Sequence, residues 1–144
     1  MKREIKFRAY SSHNHKMYPV SNIEWDIDGR IWVTADDGKN GIELIDDEAH
    51  LMQYAHLHDK NGQKIYEGDI LKVTSEDGES YVATVKWFGD EGYPAFDLAG
   101  IPAAWCYESN ALATIFESGV ETCEVIGNVF EDGGLIDDKN STTN

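Results

Sequence analysis

The feature that most constrains this chain is its alternation of polar and apolar residues in short runs cut by Gly-containing turns. Glu4-Ile5-Lys6-Phe7-Arg8-Ala9-Tyr10 has the period-2 pattern of a half-buried strand, with Ile5, Phe7 and Ala9 on one face and Lys6 and Arg8 on the other. After a polar stretch from Ser11 to Lys16, Ile23-Glu24-Trp25-Asp26-Ile27 alternates again. Asp28-Gly29 then turns, and Arg30-Ile31-Trp32-Val33-Thr34 returns. A two-residue Asp-Gly link between alternating runs predicts a β-hairpin, because both turn positions favour positive φ. Asp36 to Gly41 reads as loop and Ile42-Glu43-Leu44-Ile45 as a short extended stretch. Asp46-Asp47-Glu48 is the possible opening of a brief helix, and Leu51-Met52-Gln53-Tyr54 continues the chain.

Beyond residue 58 the β pattern strengthens. Ile65-Tyr66 and Asp69 to Thr74 read as one strand region broken by Glu67-Gly68, and Glu76 to Glu79 as a turn. Tyr81 to Phe88 runs back, Gly89 to Gly92 turns, and Ala95-Phe96-Asp97-Leu98 is a short strand. Ile101 to Tyr107 is a Pro-containing loop, Ser109 to Phe116 is balanced between helix and strand, and Glu124 to Phe130 closes as a strand. Short strands at this spacing with Gly turns predict a mainly β fold, a β-rich α+β chain whose second part is a small barrel. We expect a β-rich N-terminal region over 1–58, the barrel over 59–132 and a flexible acidic tail over 133–144, where periodicity is lost.

Charge marks the same boundary. The 144 residues carry 12 Lys+Arg and 27 Asp+Glu, a net of −15. Residues 1–58 hold 7 basic and 10 acidic residues, a net of −3, whereas 59–144 hold 5 and 17, a net of −12. A free duplex-DNA binder neutralises phosphates with a basic face, and few cations are present to build one. There is no run long and apolar enough to span a bilayer, and the N-terminal residues lack the apolar core of a secretory signal. We therefore expect a cytoplasmic protein in which Cys106 and Cys123 are free thiols. Their spacing contains no CxxC, so neither a zinc knuckle nor a thioredoxin-type site is indicated.

Four stretches are distinctive together: Arg3-Glu4-Ile5-Lys6-Phe7-Arg8-Ala9; Lys16-Met17-Tyr18; Leu51-Met52-Gln53-Tyr54 through Asp59-Lys60-Asn61-Gly62-Gln63-Lys64-Ile65-Tyr66-Glu67-Gly68-Asp69-Ile70; and Glu124-Val125-Ile126-Gly127-Asn128-Val129. In this order they resemble the YopX family of phage and prophage proteins, over nearly the whole chain. The departures are Ala55-His56-Leu57, where the family usually has Thr-Gly-Leu, and Tyr10, where a Trp is common. The resemblance implies a phage-encoded protein of the host cytoplasm whose C-terminal half is an SH3-like barrel and which self-associates. It implies no activity, because the family has none settled. The residues themselves read as a folding device. Asn61-Gly62 supplies a tight turn capped by Asp59, and Gly68 permits a bulge before the next strand. Gly127 lets the last strand pass close to another backbone.

Candidate sites are few. His13/His15 and His56/His58 each place two imidazoles at a spacing that a strand presents on one face, with Asp59 as a third ligand for the second pair. Solvated loop histidines are the plainer reading, and no metal or cofactor is implied. Asp36-Asp37 and Asp46-Asp47-Glu48 read as hydrated acids rather than paired catalytic carboxylates, and no Gly-rich phosphate loop or nucleophile elbow is present, so no catalytic residue is assigned. Aromatics crowd between Tyr66 and Phe96. Alternation places Trp87 and Phe88 on opposite faces, one in the core and the other, with Tyr93, available for a partner. An interface between copies is favoured over a peptide groove. The basic first strand (Lys2, Arg3, Lys6, Arg8) reads as a solvated face, with docking onto the acidic body of a neighbouring copy as the alternative. The expectation is thus a non-enzymatic interaction module, a homo-oligomer with a possible host or phage protein partner. The alternative is a nucleic-acid-related role, either direct binding by the barrel, which the net charge opposes, or acidic mimicry of DNA.

Overall fold

One turn chemistry builds three of the hairpins in the computed structural model, which describes residues 6–36, 41–89, 92, 95–101 and 111–132. Asp26, Asp59 and Ser75 each occupy the first position of an x-x-x-Gly-x turn. In each, the Gly N–H donates to that first residue's carbonyl and the first residue's N–H donates to the carbonyl four residues on, as in Asp26 N–H to Arg30 O at 3.0 Å and Asp59 N–H to Gln63 O at 2.9 Å. Gly29, Gly62 and Gly78 close these turns at φ of 84°, 81° and 90°, the left-handed region that a side chain disfavours. These are three-residue hairpin loops ending in a Gly bulge. The expected two-residue Asp28-Gly29 link is therefore corrected: Trp25 pairs with Ile31, and the loop is longer because the Asp26 carboxylate holds it open by accepting the Asp28 and Arg30 N–H groups.

The chain divides into two compact units, Met1–Tyr54 and Ala55–Asn144. In the first, β1 (Phe7–Ser11), β2 (Lys16–Trp25), β3 (Ile31–Asp36), β4 (Gly41–Ile45) and the start of β5 (Ala49–His58) form an antiparallel sheet in the order β4-β3-β2-β1-β5. Its core is Ala9, Val33 and Leu44, with Val20, Ile31, Ile42, Ala49 and Leu51 packed around them. The acidic run after β4 forms only a 3-10 turn, Asp46–Glu48, that returns the chain into β5.

In the second unit the end of β5 pairs with β6 (Lys64–Tyr66), and β7 (Asp69–Thr74), β8 (Ser80–Trp87), β9 (Phe96–Ala99) and β10 (Thr122–Asn128) form an antiparallel sheet ordered β10-β7-β8-β9. β6 and β7 are separate strands joined by the Glu67-Gly68 turn, not one interrupted strand. The described pairings leave β10 and β9 as sheet edges, and closure into a barrel is not among them. The fold is mainly β, as the alternation indicates.

The ambiguous 109–116 segment resolves as α1 (Ala111–Ser118). Eight residues make a helix that is marginal alone; its start is held by another strand of the unit and its end by a local glycine cap. The buried Asp97 carboxylate of β9 accepts the Leu112 N–H at 2.9 Å, and Gly119, at φ 68°, donates to Ile115 O at the C-terminus. Leu112 and Ile115 enter a core with Ile65, Leu71, Val73, Tyr81, Ala83, Val85, Leu98 and Cys123.

A Cβ added at Gly29, Gly62 or Gly78 meets nothing within 4 Å, so substitution there costs only backbone strain. Gly→Ala at each is expected to lower stability by about 1–2 kcal/mol in urea unfolding. Gly41→Ala, in ordinary contact with its surroundings and without positive φ, serves as the control. Equal losses at all four positions contradict the turn assignment.

Candidate functional site

The Asp59-to-Ile70 block is where the second unit is tied together. Asp59 is 6% exposed, and its carboxylate is fully engaged. Oδ1 accepts the N–H groups of Asn61 and Gln63, each at 2.9 Å, and Oδ2 accepts the N–H of Val125, 66 residues away in β10, at 2.9 Å. Burial pushes its pKa up, but the Val125, Gln63 and Asn61 N–H groups and the Lys60 charge together outweigh that and hold the carboxyl below its usual range. Lys60 N–H donates to Cys123 O at 3.0 Å and its ammonium lies 4.0 Å from Glu124, so the turn grips β10 at three successive residues.

Gly68 is a second junction. At φ 88° it donates its N–H to Val85 O of β8 and accepts Val129 N–H, which follows β10. The turn is locked by Asp69, 1% exposed, whose Oδ2 accepts the Tyr66 N–H at 2.7 Å. The expected bulge at Gly68 is thus a tight turn, while the bulge of this region sits in β10 between Val125 and Gly127. A Cβ on Gly127 would run into the Asp132 side chain, so the close approach there is to a carboxyl and not to a backbone. Asn128 ends the strand, its Oδ1 accepting the Phe130 and Glu131 N–H groups at 3.1 and 3.0 Å.

A cleft of about 220 Å³ beside this junction is lined by His58, Asp59, Lys60, Ile115, Phe116 and Cys123 among others. It gathers an imidazole, a carboxylate and a thiol, yet these are not poised for nucleophilic chemistry. The carboxylate is spent on backbone N–H groups, and burial, followed by the Asp59 charge, pushes the free Cys123 thiol up to about 11. An activated cysteine needs the opposite environment. Cys106 lies outside the described residues.

The aromatic candidates lie at the end of β8. Trp87 is 40% exposed and meets Phe96 edge to face, with ring centroids 5.2 Å apart. Its indole covers Gly89 so closely that a Cβ there would clash with it. Phe88 is half-buried, donates its N–H to Ala95 O and carries the Lys86 ammonium 5.2 Å over its ring. Neither residue belongs to the core, which corrects the expectation that one of the pair is buried. Phe88 has already left the strand, so the inward alternation of β8 ends at Val85. Tyr93 lies outside the described residues.

Neither histidine pair is joined by a third ligand among the described residues. His13 and His15 sit in a turn rather than a strand, His15 at φ 59° with Nδ1 3.4 Å from Tyr10 OH. His56 and His58 are exposed, while Ala55 and Leu57 pack on the core, and the expected third ligand Asp59 is committed as above. No group of three or more His, Cys, Asp or Glu side chains that could hold a metal occurs among the described residues. Asp46 Oδ1 accepts the Ile31 N–H and Glu48 Oε1 the Ile45 N–H, so these acids serve the first unit's turns. Asp37, Lys2, Arg3 and the 133–144 tail lie outside the described residues, and no described helix is long and apolar enough to cross a membrane.

The YopX protein family matches residues 6–137. The chain belongs to that family. Among solved structures it is similar to protein EF1440 of Enterococcus faecalis, with 20% identity, a TM-score of 0.60, and 94% of this chain and 99% of that chain covered. It is also similar to YopX of Bacillus subtilis, with 22% identity, a TM-score of 0.55, and 90% and 96% covered. These similarities concern the fold. A search of curated proteins gave no match. Within this YopX-family chain, two of the four stretches that carry the resemblance, 51–70 and 124–129, contain the Asp59 and Gly68 junctions. The feature missed by residue reading is the exposed Trp25-Ile27 pair in the first unit, for which alternation gave no signal because Trp25 follows the inward pattern.

Asp59→Ala is expected to cost about 2–4 kcal/mol, since it leaves buried N–H groups without an acceptor. Asp59→Asn costs less because one amide oxygen can still accept from Asn61 and Gln63. The folded pKa of Asp59 lies below its unfolded value of about 3.9, so the unfolded chain takes up this proton first. The contribution is complete above that value and is lost as pH falls through the folded pKa. Urea unfolding between neutral and acid pH therefore shows a steeper acid loss in the wild type than in Asp59→Asn; identical acid limbs contradict the assignment. In a Cys106→Ser background, Cys123 is expected to react with a disulfide reagent only as fast as the protein opens. Reaction at the rate of a free thiol would contradict its burial.

Proposed function

We propose that this chain is a phage- or prophage-encoded accessory protein of the host cytoplasm, a non-enzymatic interaction module that assembles with copies of itself through the aromatic end of β8. The observation that carries the reading is Trp87: 40% exposed, yet fixed by the Phe96 ring and by contact with Gly89. A rigid, partly exposed aromatic is the anchor that protein interfaces favour, because little side-chain entropy is lost on docking. Phe88, held under Lys86, follows Trp87 at the end of the strand, and Tyr93 lies in the same stretch of sequence. The non-enzymatic part is supported by the cleft chemistry, where the Asp59 carboxylate is engaged in folding and the Cys123 thiol is held protonated. The phage setting rests on the resemblance to YopX proteins.

Sedimentation velocity of the full chain is the test. The wild type is expected to sediment as an oligomer, and Trp87→Ser and Phe88→Ser to weaken assembly at least tenfold without loss of far-UV circular dichroism; Tyr93→Ser tests the remaining contact. A wild type that stays monomeric up to millimolar concentration, or an oligomer indifferent to Trp87→Ser, would overturn the reading.

A further inference from the structure

The apolar face of the first unit's sheet does not stop where its core stops. Directly opposed strand residues share a face, and a strand alternates with period 2. Ile23 opposes Val33 and Trp25 opposes Ile31. Val33 is fully buried in the core and Ile31 packs against it, so Ile23 and Trp25 continue the same face toward the hairpin tip. Trp25 is nevertheless 66% exposed, and Ile27, at the tip of the loop, is 101% exposed. The tip is also held firmly: Asp26 accepts the Asp28 and Arg30 N–H groups and, through Oδ2, the Trp32 indole N–H at 2.9 Å. The Trp32 hydrogen bond is the main reason its carboxyl stays below the usual range, against a burial effect in the other direction.

The charges along this hairpin end are mostly negative. Residues 21–32 contain Glu24, Asp26 and Asp28 and a single cation, Arg30. Arg30 lies 3.9 Å from Asp46 and is drawn to it. The Asp28 carboxylate is exposed and has no hydrogen-bond partner among the described residues.

We propose that the β2–β3 tip docks a cationic segment of a partner protein, a stretch bearing Lys or Arg beside apolar side chains. Trp25 offers an indole face to a guanidinium or ammonium, the exposed Asp28 at the tip supplies the opposite charge, and Ile27 takes the apolar neighbour. Glu24 lies on the other face of β2, opposite Trp32, and accepts the Asn22 amide at 2.8 Å. A second tip of this chain is disfavoured as occupant, because a symmetric pairing brings the same carboxylates together. An anionic membrane surface is disfavoured for the same reason. The proposal is independent of the Trp87 reading and concerns the other unit.

The test is a titration of the ¹⁵N-labelled full chain with a peptide of alternating Arg and Leu, read by NMR at low and at moderate salt. Of the four Trp indole signals, that of Trp25 is expected to shift, with the Ile27 and Gly29 amides, and the Kd to rise with salt. Trp25→Ala and Ile27→Ser should each weaken binding at least tenfold, and Asp28→Asn several-fold with a flatter salt dependence. Trp87→Ser should leave it unchanged. Because Ile27 is fully exposed, its variant keeps the test valid if Trp25→Ala folds poorly. Absence of shifts, shifts centred on another indole, or affinity indifferent to both variants would overturn the proposal. So would self-association without peptide that Trp25→Ala abolishes, or tighter binding to anionic vesicles than to the peptide.

Discussion

The second unit depends on one carboxylate. Asp59 lies at the turn between β5 and β6 and accepts the amide of Val125 in β10, so a local turn and a contact across 66 residues share a side chain. A neutral acceptor could satisfy some of these N–H groups. A buried carboxylate satisfies all three with charge-assisted bonds, and those bonds repay its desolvation. Gly68 adds a second knot, bonding to Val85 in β8 and to Val129 just after β10 from a backbone conformation that favours glycine. The sheet edges and α1 are then arranged around a frame set by the Asp-Lys-Asn-Gly and Tyr-Glu-Gly-Asp residues.

That frame explains why the carboxylate and the thiol at the cleft are not activated for nucleophilic chemistry. Asp59, Cys123 and His58 meet at one cleft, but the first is used up by the backbone and the second is buried beside the first's negative charge. What the fold leaves to the outside is different in kind: aromatic side chains fixed at hairpin ends. Trp87 is fixed by Phe96, and the Trp25 tip is stiffened by the Asp26–Trp32 bond. In each case local order is supplied by folding, so a partner need not supply it on binding.

Much of this was legible in the residues. Gly after Asp or Asn marked the turns correctly, because only glycine takes the left-handed position without strain, and the alternating runs fell into strands. The loop length at Asp26 was not legible, since it depends on a side chain gripping backbone groups two and four residues on. The helix at Ala111–Ser118 could not be told from a strand because its N-terminal acceptor, Asp97, belongs to another strand. Alternation failed at Trp87-Phe88 because the rule holds only while a second layer covers the strand, and β8 ends at Trp87. The reach of Asp59 to Val125 was likewise invisible: the sequence showed a cap for a turn, not a tie between strands.

The central claim is that Asp59 is ionised and bonded to β10 in the folded protein. The direct measurement is an NMR titration that follows the Asp59 carboxyl carbon and the Val125 amide together as the pH is lowered. The account predicts that both report one transition, below the usual aspartate range, with the Val125 amide moving as the distant carboxylate takes up its proton. A carboxyl that titrates at an ordinary value, or a Val125 amide blind to that transition, would contradict it.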